Sequence, residues 1–364
     1  MISAIRRVRD RLLGDGERSV AIPVFDGPLK PNNVLETAEV LFEHEDLSDL
    51  TASADGTVYA ACGNAVLRLD VDGGTEEVAS FDAPVQALST FAGGLAVATD
   101  KAIVIHDGVS AGSVLDSVDG KPLSGVNALA SDGEGGLLIS QGSLVHPIAA
   151  WSRDLLSHGA TGRVLRYDPS TGTVRVLASH LRYCYGVVIA QGKVIASESW
   201  AHQLRTVGDN QNDILLPALP GYPARLSRAK DGGYWLAVFA ARTQLVEFVL
   251  LEDDYRREMM RTVPPHYWIA PAMSSGQDFC EPLQLGSVRQ MGVLKPWAPP
   301  RSYGLVIRLD AALQPRYSLH SRVGGRHHGV TAVAEGKDRL LVLSKGAGRI
   351  LQLPLSTLHS GAAL

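Results

Sequence analysis

The chain has few cysteines and lacks the sequence signatures of zinc proteases and P-loop proteins. Its 364 residues include three cysteines, Cys62, Cys184 and Cys280, which are widely spaced and form no CxxC pair. An odd number of scattered cysteines argues against a disulfide framework and favours a reducing compartment. No HExxH or P-loop sequence occurs. The chain therefore lacks the usual signatures of zinc proteases and P-loop nucleotide-binding proteins.

Long apolar runs and a strong excess of one charge are missing too. Nowhere does the chain offer the run of about 18 apolar residues that a membrane-spanning helix needs. With 34 Lys and Arg against 38 Asp and Glu, its net charge is −4, so it has no broad basic field to hold nucleic acid. The N-terminus alternates apolar residues with arginines but lacks the apolar core of a secretory signal. We therefore predict a cytoplasmic protein with no integral membrane segment, in which residues 1–26 form an amphipathic helix and lead-in.

A repeated unit accounts for most of the chain. The unit is a β-branched run, a Gly-containing turn and a second apolar run, and it recurs about six times. Its clearest copies are VNALASDGEGGLLIS from Val126, YGVVIAQGKVIASES from Tyr185, YPARLSRAKDGGYWLAV from Tyr222 and HGVTAVAEGKDRLLVLS from His328. Such repeats are typical of β-propeller blades. We predict an all-β fold, a six-bladed β-propeller in which residues 27–364 form a single domain.

The topology of a propeller brings distant residues together at the central channel. The innermost strands are expected to start near Asp49, Val85, Val126, Gly186, Ala224 and Gly329. A strand after Gly27 is expected to close the ring beside the C-terminal GRILQLPL. A helical and irregular insertion, residues 251–302, is expected between blades five and six. Such an excursion is typical of a lid over a site, and the alternative is a cover over the outer edge of a blade.

Four segments carry a family resemblance: ATGRVLRYDPSTGTVRVLASHLRYCYGVVIA, LPGYPARLSRAKDGGYWLAV, YGLVIRLD and HHGVTAVAEGKDRLLVLSKGAGRILQL. They resemble the strictosidine synthase-like branch of the calcium-dependent lactonase superfamily, which includes gluconolactonase and paraoxonase relatives. The resemblance extends over nearly the whole chain from about Gly27. It implies a six-bladed propeller with a small-molecule site at the channel mouth.

The chain departs from this family at the positions that carry its chemistry. In metal-dependent relatives, a Glu and several Asn or Asp residues at the strand starts bind one calcium ion through oxygen. Here Asn127 matches one such Asn, but Tyr185, Ala224 and Arg225 stand at other ligand positions, so we predict no metal and no cofactor. The plant condensing enzyme uses a Glu just after a His in its last blade. The Glu position falls on Gly329, which disfavours that condensation.

The groups left at the expected channel mouth and its rim suit acid–base chemistry without a metal. The predicted catalytic residues are His327, His328, Tyr185 and Asp49. The predicted substrate-binding residues are Asn127, Arg225, Gln141, His146, Trp200, His202 and Trp268.

Several of these assignments have a structural alternative. Only one of the adjacent His327 and His328 is expected to face the channel, and both histidines could be purely structural. Arg225 either holds an anionic group of a substrate or forms a buried ion pair with Asp49. Tyr185 either donates a proton or simply fills the channel.

The leading functional prediction is an enzyme that hydrolyses a small lactone or ester at the channel mouth. The alternatives are a metal-free lyase, isomerase or condensing enzyme, and a propeller that binds a small ligand without turning it over. The sequence makes no prediction of the oligomeric state.

Overall fold

Six four-stranded antiparallel sheets succeed one another within the residues that the structure describes. The structure is a computed structural model, and it describes residues 22–208, 212–276, 278, 281, 289–290, 293–294 and 301–359. Two short 3-10 turns, Gly27–Leu29 and Val34–Thr37, lead into the first strand, β1 (Glu39–Glu43).

The first three blades are built from consecutive hairpins with Gly-containing turns. Blade 1 contains β2 (Leu47–Ala52), β3 (Val58–Cys62), β4 (Ala65–Leu69) and β5 (Thr75–Ser80). Blade 2 contains β6 (Val85–Phe91), β7 (Gly94–Thr99), β8 (Ile103–His106) and β9 (Val114–Leu115), followed by a small hairpin of β10 (Ser117–Val118) and β11 (Lys121–Pro122). Blade 3 contains β12 (Val126–Ser131), β13 (Leu137–Gln141), β14 (Gly162–Asp168) and β15 (Thr173–Leu181).

The other three blades follow the same order, with one long interruption and one strand supplied from the start of the chain. Blade 4 contains β16 (Cys184–Ala190), β17 (Lys193–Glu198), β18 (Gln203–Val207) and β19 (Ile214–Leu216). Blade 5 begins with β20 (Gly221–Arg228) and β21 (Tyr234–Ala241); after an insertion with the hairpin β22 (Arg289–Gln290) and β23 (Val293–Leu294), it ends with β24 (Gly304–Leu309) and β25 (Pro315–Ser321). Blade 6 contains β26 (Val330–Glu335), β27 (Arg339–Ser344), β28 (Arg349–Pro354) and β1.

The predicted six-bladed propeller is confirmed by how the sheets meet. The innermost strand of each blade contacts the innermost strands of the blades before and after it, and β26 contacts β2. The ring closes as predicted, because β1 pairs with β28, with Glu39 opposite Gln352. Pairing both ends of the chain in one sheet removes an exposed edge.

Apolar layers between neighbouring blades hold the ring together. Alternate residues of each strand point to opposite faces of its sheet, so each blade packs apolar side chains against both neighbours. Leu50 and Leu341 lie in the layer between blades 1 and 6, and Leu236 and Leu204 lie in the layer between blades 5 and 4. Both faces of the central strands are therefore buried, which explains why they read as short apolar runs.

The insertion leaves the ring from inside blade 5, not between blades five and six as the sequence suggested. It connects β21 to β24, because β24 pairs with β21 and β25 pairs with β24, which completes that sheet. Its described residues include two α-helices, α2 (Gln244–Leu251) and α3 (Asp253–Thr262). Thr243 caps the first helix by accepting the Val246 N–H at 3.3 Å.

Two further short helices lie outside the insertion. These are α1 (Trp151–Leu156), between the second and third strands of blade 3, and α4 (Leu355–His359), after β28. No helix within the described ranges is long and apolar enough to cross a membrane.

Buried serine hydroxyls link neighbouring blades near the channel. The Ser197 hydroxyl in β17 donates to the Ala224 carbonyl and accepts the Gly186 N–H, both at 2.7 Å. The Ser140 hydroxyl, one blade earlier, donates to the Tyr185 carbonyl at 2.7 Å. These bonds satisfy backbone groups where the inner strands diverge from regular pairing.

Replacing Ser197 with alanine is expected to lower the free energy of unfolding by about 2 kcal/mol or more, because it leaves a buried carbonyl and a buried N–H unpaired. Denaturant unfolding measures this loss. Ser179→Ala, an exposed serine in β15, is the matched control and should change stability by less than about 0.5 kcal/mol. Equal stabilities for the two variants would show that the linking bonds contribute nothing.

Candidate functional site at the channel mouth

The innermost strands start at one end of the channel, and two of them lie unusually close there. A Cβ added to Gly186 in β16 would come within 2.6 Å of the Ala224 carbonyl oxygen and 2.8 Å of the Arg225 Cα. Only glycine allows this approach. As a result, Tyr185 and Arg225 lie side by side, with the guanidinium carbon 5.4 Å from the centre of the phenol ring.

A buried ion pair joins opposite sides of the channel mouth. Asp49 Oδ2 lies 3.3 Å from Arg225 Nε, and the Asp49 side chain is 1% exposed. The two Asp49 oxygens also accept the Leu50 and Leu88 N–H groups at 2.8 Å. Asp49 therefore accepts two hydrogen bonds from the backbone and forms an ion pair with Arg225.

The Arg225 guanidinium also binds backbone carbonyls of blades 1 and 2. It donates to the Ser48 carbonyl at 3.3 Å and to the Gln86 carbonyl at 2.9 Å. One side chain from blade 5 thereby ties together strands from both sides of the channel. This is the ion pair that the sequence left as an alternative for Arg225.

Burial governs the protonation of the groups around this pair. It raises the pKa of Asp49, although the Arg225 guanidinium and the two backbone donors oppose the shift. Burial likewise raises the pKa of Tyr185, with Arg225 opposing. The phenol therefore stays protonated at neutral pH and is available as a donor.

Lys345 is a member of this group that the sequence analysis missed. It follows β27 in blade 6 and is partly buried. Burial and the like charge of Arg225 lower the pKa of its amine to about 8, although Asp49 opposes the shift. The sequence signal was a lysine between the last residue of a strand and the Gly-rich turn Gly346–Gly348. Two cations thus act on one carboxylate.

Aromatic rings form one wall of the mouth. The Tyr183 ring lies 6.1 Å from Tyr185 and stacks at 4.3 Å on Trp200, whose indole N–H donates to Asp154 of α1 at 2.8 Å. Asn127 lies in the same region, and its amide donates to the Cys184 carbonyl at 3.0 Å. The structure thus brings Asp49, Tyr185 and Arg225 together, with Asn127 and Trp200 along the adjoining wall.

A calcium ion of the type found in metal-dependent relatives does not fit these residues. The Arg225 guanidinium already takes the Ser48 and Gln86 carbonyls and the Asp49 carboxylate, all oxygens that a calcium ion would prefer. A second positive charge beside the guanidinium would be repelled. Across the described ranges, no group of three or more His, Cys, Asp or Glu side chains is arranged to hold a metal.

His328 lies in the loop before β26 and contacts the insertion, not the Asp49–Arg225 pair. Its Nε2 faces the Arg322 carbonyl at 2.9 Å and must donate to it, so Nδ1 accepts from the Ser302 hydroxyl at 2.7 Å. Ser302 in turn lies 2.6 Å from the Ser275 hydroxyl. These bonds anchor the insertion to blade 6.

His327 lies in the same loop and faces a different neighbour. It is 1% exposed, and neither ring nitrogen has a hydrogen-bond partner within the described part of the chain. Burial lowers its pKa, although the Glu36 carboxylate opposes the shift. The expectation that one histidine joins Asp49 and Arg225 came from strand alternation. That rule does not apply here, because both residues precede the strand.

The insertion contacts blade 6 at the end where the innermost strand of that blade begins. A Cβ on Gly329 would come within 2.7 Å of the Met273 carbonyl oxygen, and one on Gly346 would collide with the same oxygen. The backbone of the insertion thus takes the space that a longer side chain at Gly329 would need.

Trp268 lies in the core of the insertion and not against the channel. Its ring is 1% exposed and packs with Leu156, Val249 and Met259. Its indole N–H donates to the Val263 carbonyl at 2.8 Å. A contact between Trp268 and a substrate would require the insertion to open.

Gln141 and His146 lie at the rim of blade 3. The Gln141 amide donates to the Ser124 carbonyl and accepts from Arg163 at 2.6 Å, so its polar atoms are used within the blade. His146 is partly buried in the loop after β13, and its backbone N–H donates to the Ser143 hydroxyl at 3.0 Å.

A separate cleft of about 910 Å³ lies at the rim of blade 4, and its lining includes Trp200, His202, Arg242 and Glu247. Arg242 Nε is 3.1 Å from Glu247, and His202 Nε2 is 3.6 Å from it. Burial, with Arg242, lowers the pKa of His202 well below its usual value. The charges of Arg242 and Glu247 thus compensate each other. At the channel mouth, in contrast, Arg225 and Lys345 share the single carboxylate of Asp49.

Replacing Arg225 with alanine is expected to lower the free energy of unfolding by about 3 kcal/mol or more at pH 7, because Asp49 is left as an unpaired buried carboxylate. The loss should shrink at pH 5. Without Arg225 the folded-state pKa of Asp49 rises further, and a raised folded-state pKa gives stability that is lost as the pH rises through it. Denaturant unfolding at both pH values measures the two effects.

The control is Arg228→Ala, an exposed arginine on the same strand that donates to the Ile189 carbonyl at 3.0 Å. It should change stability by less than about 0.5 kcal/mol at either pH. An Arg225→Ala variant as stable as this control, or one with the same loss at both pH values, would contradict a buried pair.

Comparison with known proteins agrees with the resemblance found in the sequence. The family model of strictosidine synthase matches residues 127–204. The adipocyte plasma membrane-associated protein of Salmo salar is 27% identical over 265 residues, 60% of each chain. Protein STRICTOSIDINE SYNTHASE-LIKE 7 of Arabidopsis thaliana is 27% identical over 143 residues, 38% of each chain. The matches therefore span 60% or less of the length of these relatives.

Solved structures share the fold at low sequence identity. A gluconolactonase from Xanthomonas campestris is 14% identical with a TM-score of 0.55, over 92% of this chain and 97% of that chain. The calcium-binding protein regucalcin from Agrobacterium tumefaciens is 14% identical with a TM-score of 0.54, over 87% and 92%. The chain is a six-bladed propeller that resembles the strictosidine synthase-like proteins in sequence and gluconolactonase and regucalcin in fold.

Proposed function

We propose that the protein is an enzyme that hydrolyses a small lactone or ester carrying an anionic group, at the channel mouth beneath the insertion and without a metal. The observation that carries this proposal is the excess of positive charge there. Arg225 and Lys345 act on one carboxylate, Asp49, in a largely buried setting. A monoanionic ligand would balance the second cation, and buried charge without a partner is costly.

The same groups suit the steps of ester hydrolysis. The free-base form of the Lys345 amine can take a proton from a water molecule as that water attacks the ester carbonyl carbon. The carbonyl oxygen then becomes negative, and the Arg225 guanidinium is placed to stabilise it. When the carbon–oxygen bond breaks, the protonated Tyr185 phenol can donate to the leaving alkoxide.

The relatives support this reaction class only in general terms. One structural relative is a gluconolactonase, which is compatible with a lactone as substrate. A propeller that binds a ligand without turnover is the second candidate, because the Asp49–Arg225 pair fills part of the channel. Turnover distinguishes the two.

Assays of purified protein against lactones and aryl esters, with and without a carboxylate, test the proposal. We expect turnover of the anionic members, and a loss of about 100-fold or more in kcat for Tyr185→Phe because a proton donor is removed. Tyr255→Phe is the matched control, since Tyr255 is 52% exposed on α3.

Unchanged kcat in both tyrosine variants would remove Tyr185 from the mechanism. Tight binding of anionic ligands by calorimetry, with no turnover across the panel, would favour the binding protein over the enzyme.

A further inference from the structure

The cleft at the rim of blade 4 contains a histidine whose ring is held in one orientation. His202 follows the short turn Ser199–Ala201, and its backbone N–H and carbonyl bond to Ser199 and Leu219 at 3.2 and 2.8 Å. Its Nδ1 lies 3.1 Å from the Gly221 carbonyl oxygen and must donate to it, because a carbonyl oxygen only accepts. In the neutral ring, Nε2 is therefore left as an acceptor.

This acceptor faces another acceptor instead of a donor. His202 Nε2 lies 3.6 Å from Glu247 Oε1, and each of the two side chains is 9% exposed. Both Glu247 oxygens already accept from Arg242, at 3.1 and 3.2 Å. No hydrogen bond reaches His202 Nε2 from any residue that the structure describes. A largely buried acceptor of this kind is stabilised when a donor from outside the protein binds it.

The charges around His202 disfavour an ionised head group on that donor. A carboxylate has no proton to give to Nε2 and would lie beside the Glu247 carboxylate. A cation is disfavoured as well, because burial and Arg242 lower the pKa of His202 well below its usual value, so even a proton binds poorly here. Since Arg242 already compensates Glu247, an uncharged hydroxyl is the donor that fits.

Apolar side chains form another part of the cleft lining. They are Leu155 of α1, Leu250 and Leu251 of α2, Trp200 of blade 4 and Ile214 of β19. Leu251 and Ile214 are 41% and 54% exposed, so an apolar compound in the cleft would remove their surface from water. The volume of about 910 Å³ lies within the usual range for small-molecule sites.

We propose that this cleft binds an uncharged apolar alcohol, whose hydroxyl donates to His202 Nε2 and whose hydrocarbon lies against α1 and α2. The site is separate from the channel mouth, because Asp49, Tyr185 and Arg225 do not line it. The ligand would bridge the insertion and blade 4, since α2 belongs to the insertion. The proposal concerns binding alone and does not depend on ester hydrolysis.

Three probes with the same hydrocarbon and different head groups test the proposal: n-octanol, octylamine and octanoate. The full chain is titrated with each probe, and hydrogen exchange of α2 and of residues 199–205 reports binding at the cleft, independently of any anion bound at the channel mouth. We expect n-octanol to bind at least about tenfold more tightly than either charged probe, because only its head group is an uncharged donor. Equal or tighter binding of a charged probe, or no saturable protection by n-octanol, would overturn the proposal.

A substitution at Glu247 adds a second test. Glu247→Gln leaves the Arg242 charge uncompensated and places an amide donor opposite His202 Nε2, so the preference should reverse and octanoate should bind more tightly than n-octanol. Glu252→Gln, an exposed glutamate just after α2, is the matched control and should keep the preference for n-octanol. An unchanged preference in Glu247→Gln would contradict the assignment of His202 and Glu247 to the site. The comparison of head groups in the unaltered chain does not depend on either variant folding.

Discussion

The Asp49–Arg225 ion pair is the interaction on which the channel mouth depends. Either charge would be costly to bury alone, but the pair is supported by backbone N–H groups on one side and backbone carbonyls on the other. The pair links β2 and β6 to β20 across the channel. The Arg225 side chain therefore supplies positive charge at this end of the channel.

The residues next to the ion pair, Lys345 and Tyr185, carry the groups that can transfer protons. Burial and the nearby charge of Arg225 lower the pKa of Lys345, and burial raises the pKa of Tyr185, which keeps its proton. The insertion contacts blade 6 through Met273, which is possible because Gly329 and Gly346 have no side chains. The Lys345 amine, the Tyr185 phenol and the Arg225 guanidinium are groups that suit a proposed site for small anionic carbonyl compounds.

The fold and half of the candidate site could be predicted from the sequence. The repeats fix the blades, and the propeller topology then places Asp49, Tyr185 and Arg225 at one end of the channel. The histidines could not be placed in the same way, because they lie in an irregular loop where strand alternation fails. The local signal of Lys345, a lysine between a strand and a Gly-rich turn, does not reveal its environment, which depends on a charge about 120 residues away in the chain. The position of the insertion within blade 5 depends on strand pairing, which local patterns do not reveal.

The central claim is that the Arg225 guanidinium, and not a metal ion, supplies the positive charge that faces Asp49 at the channel mouth. The most direct test is the melting temperature of the protein after treatment with a chelator, and then with added calcium or magnesium. The account predicts the same melting temperature in all these conditions. A large fall on chelation that calcium reverses and magnesium does not would contradict it.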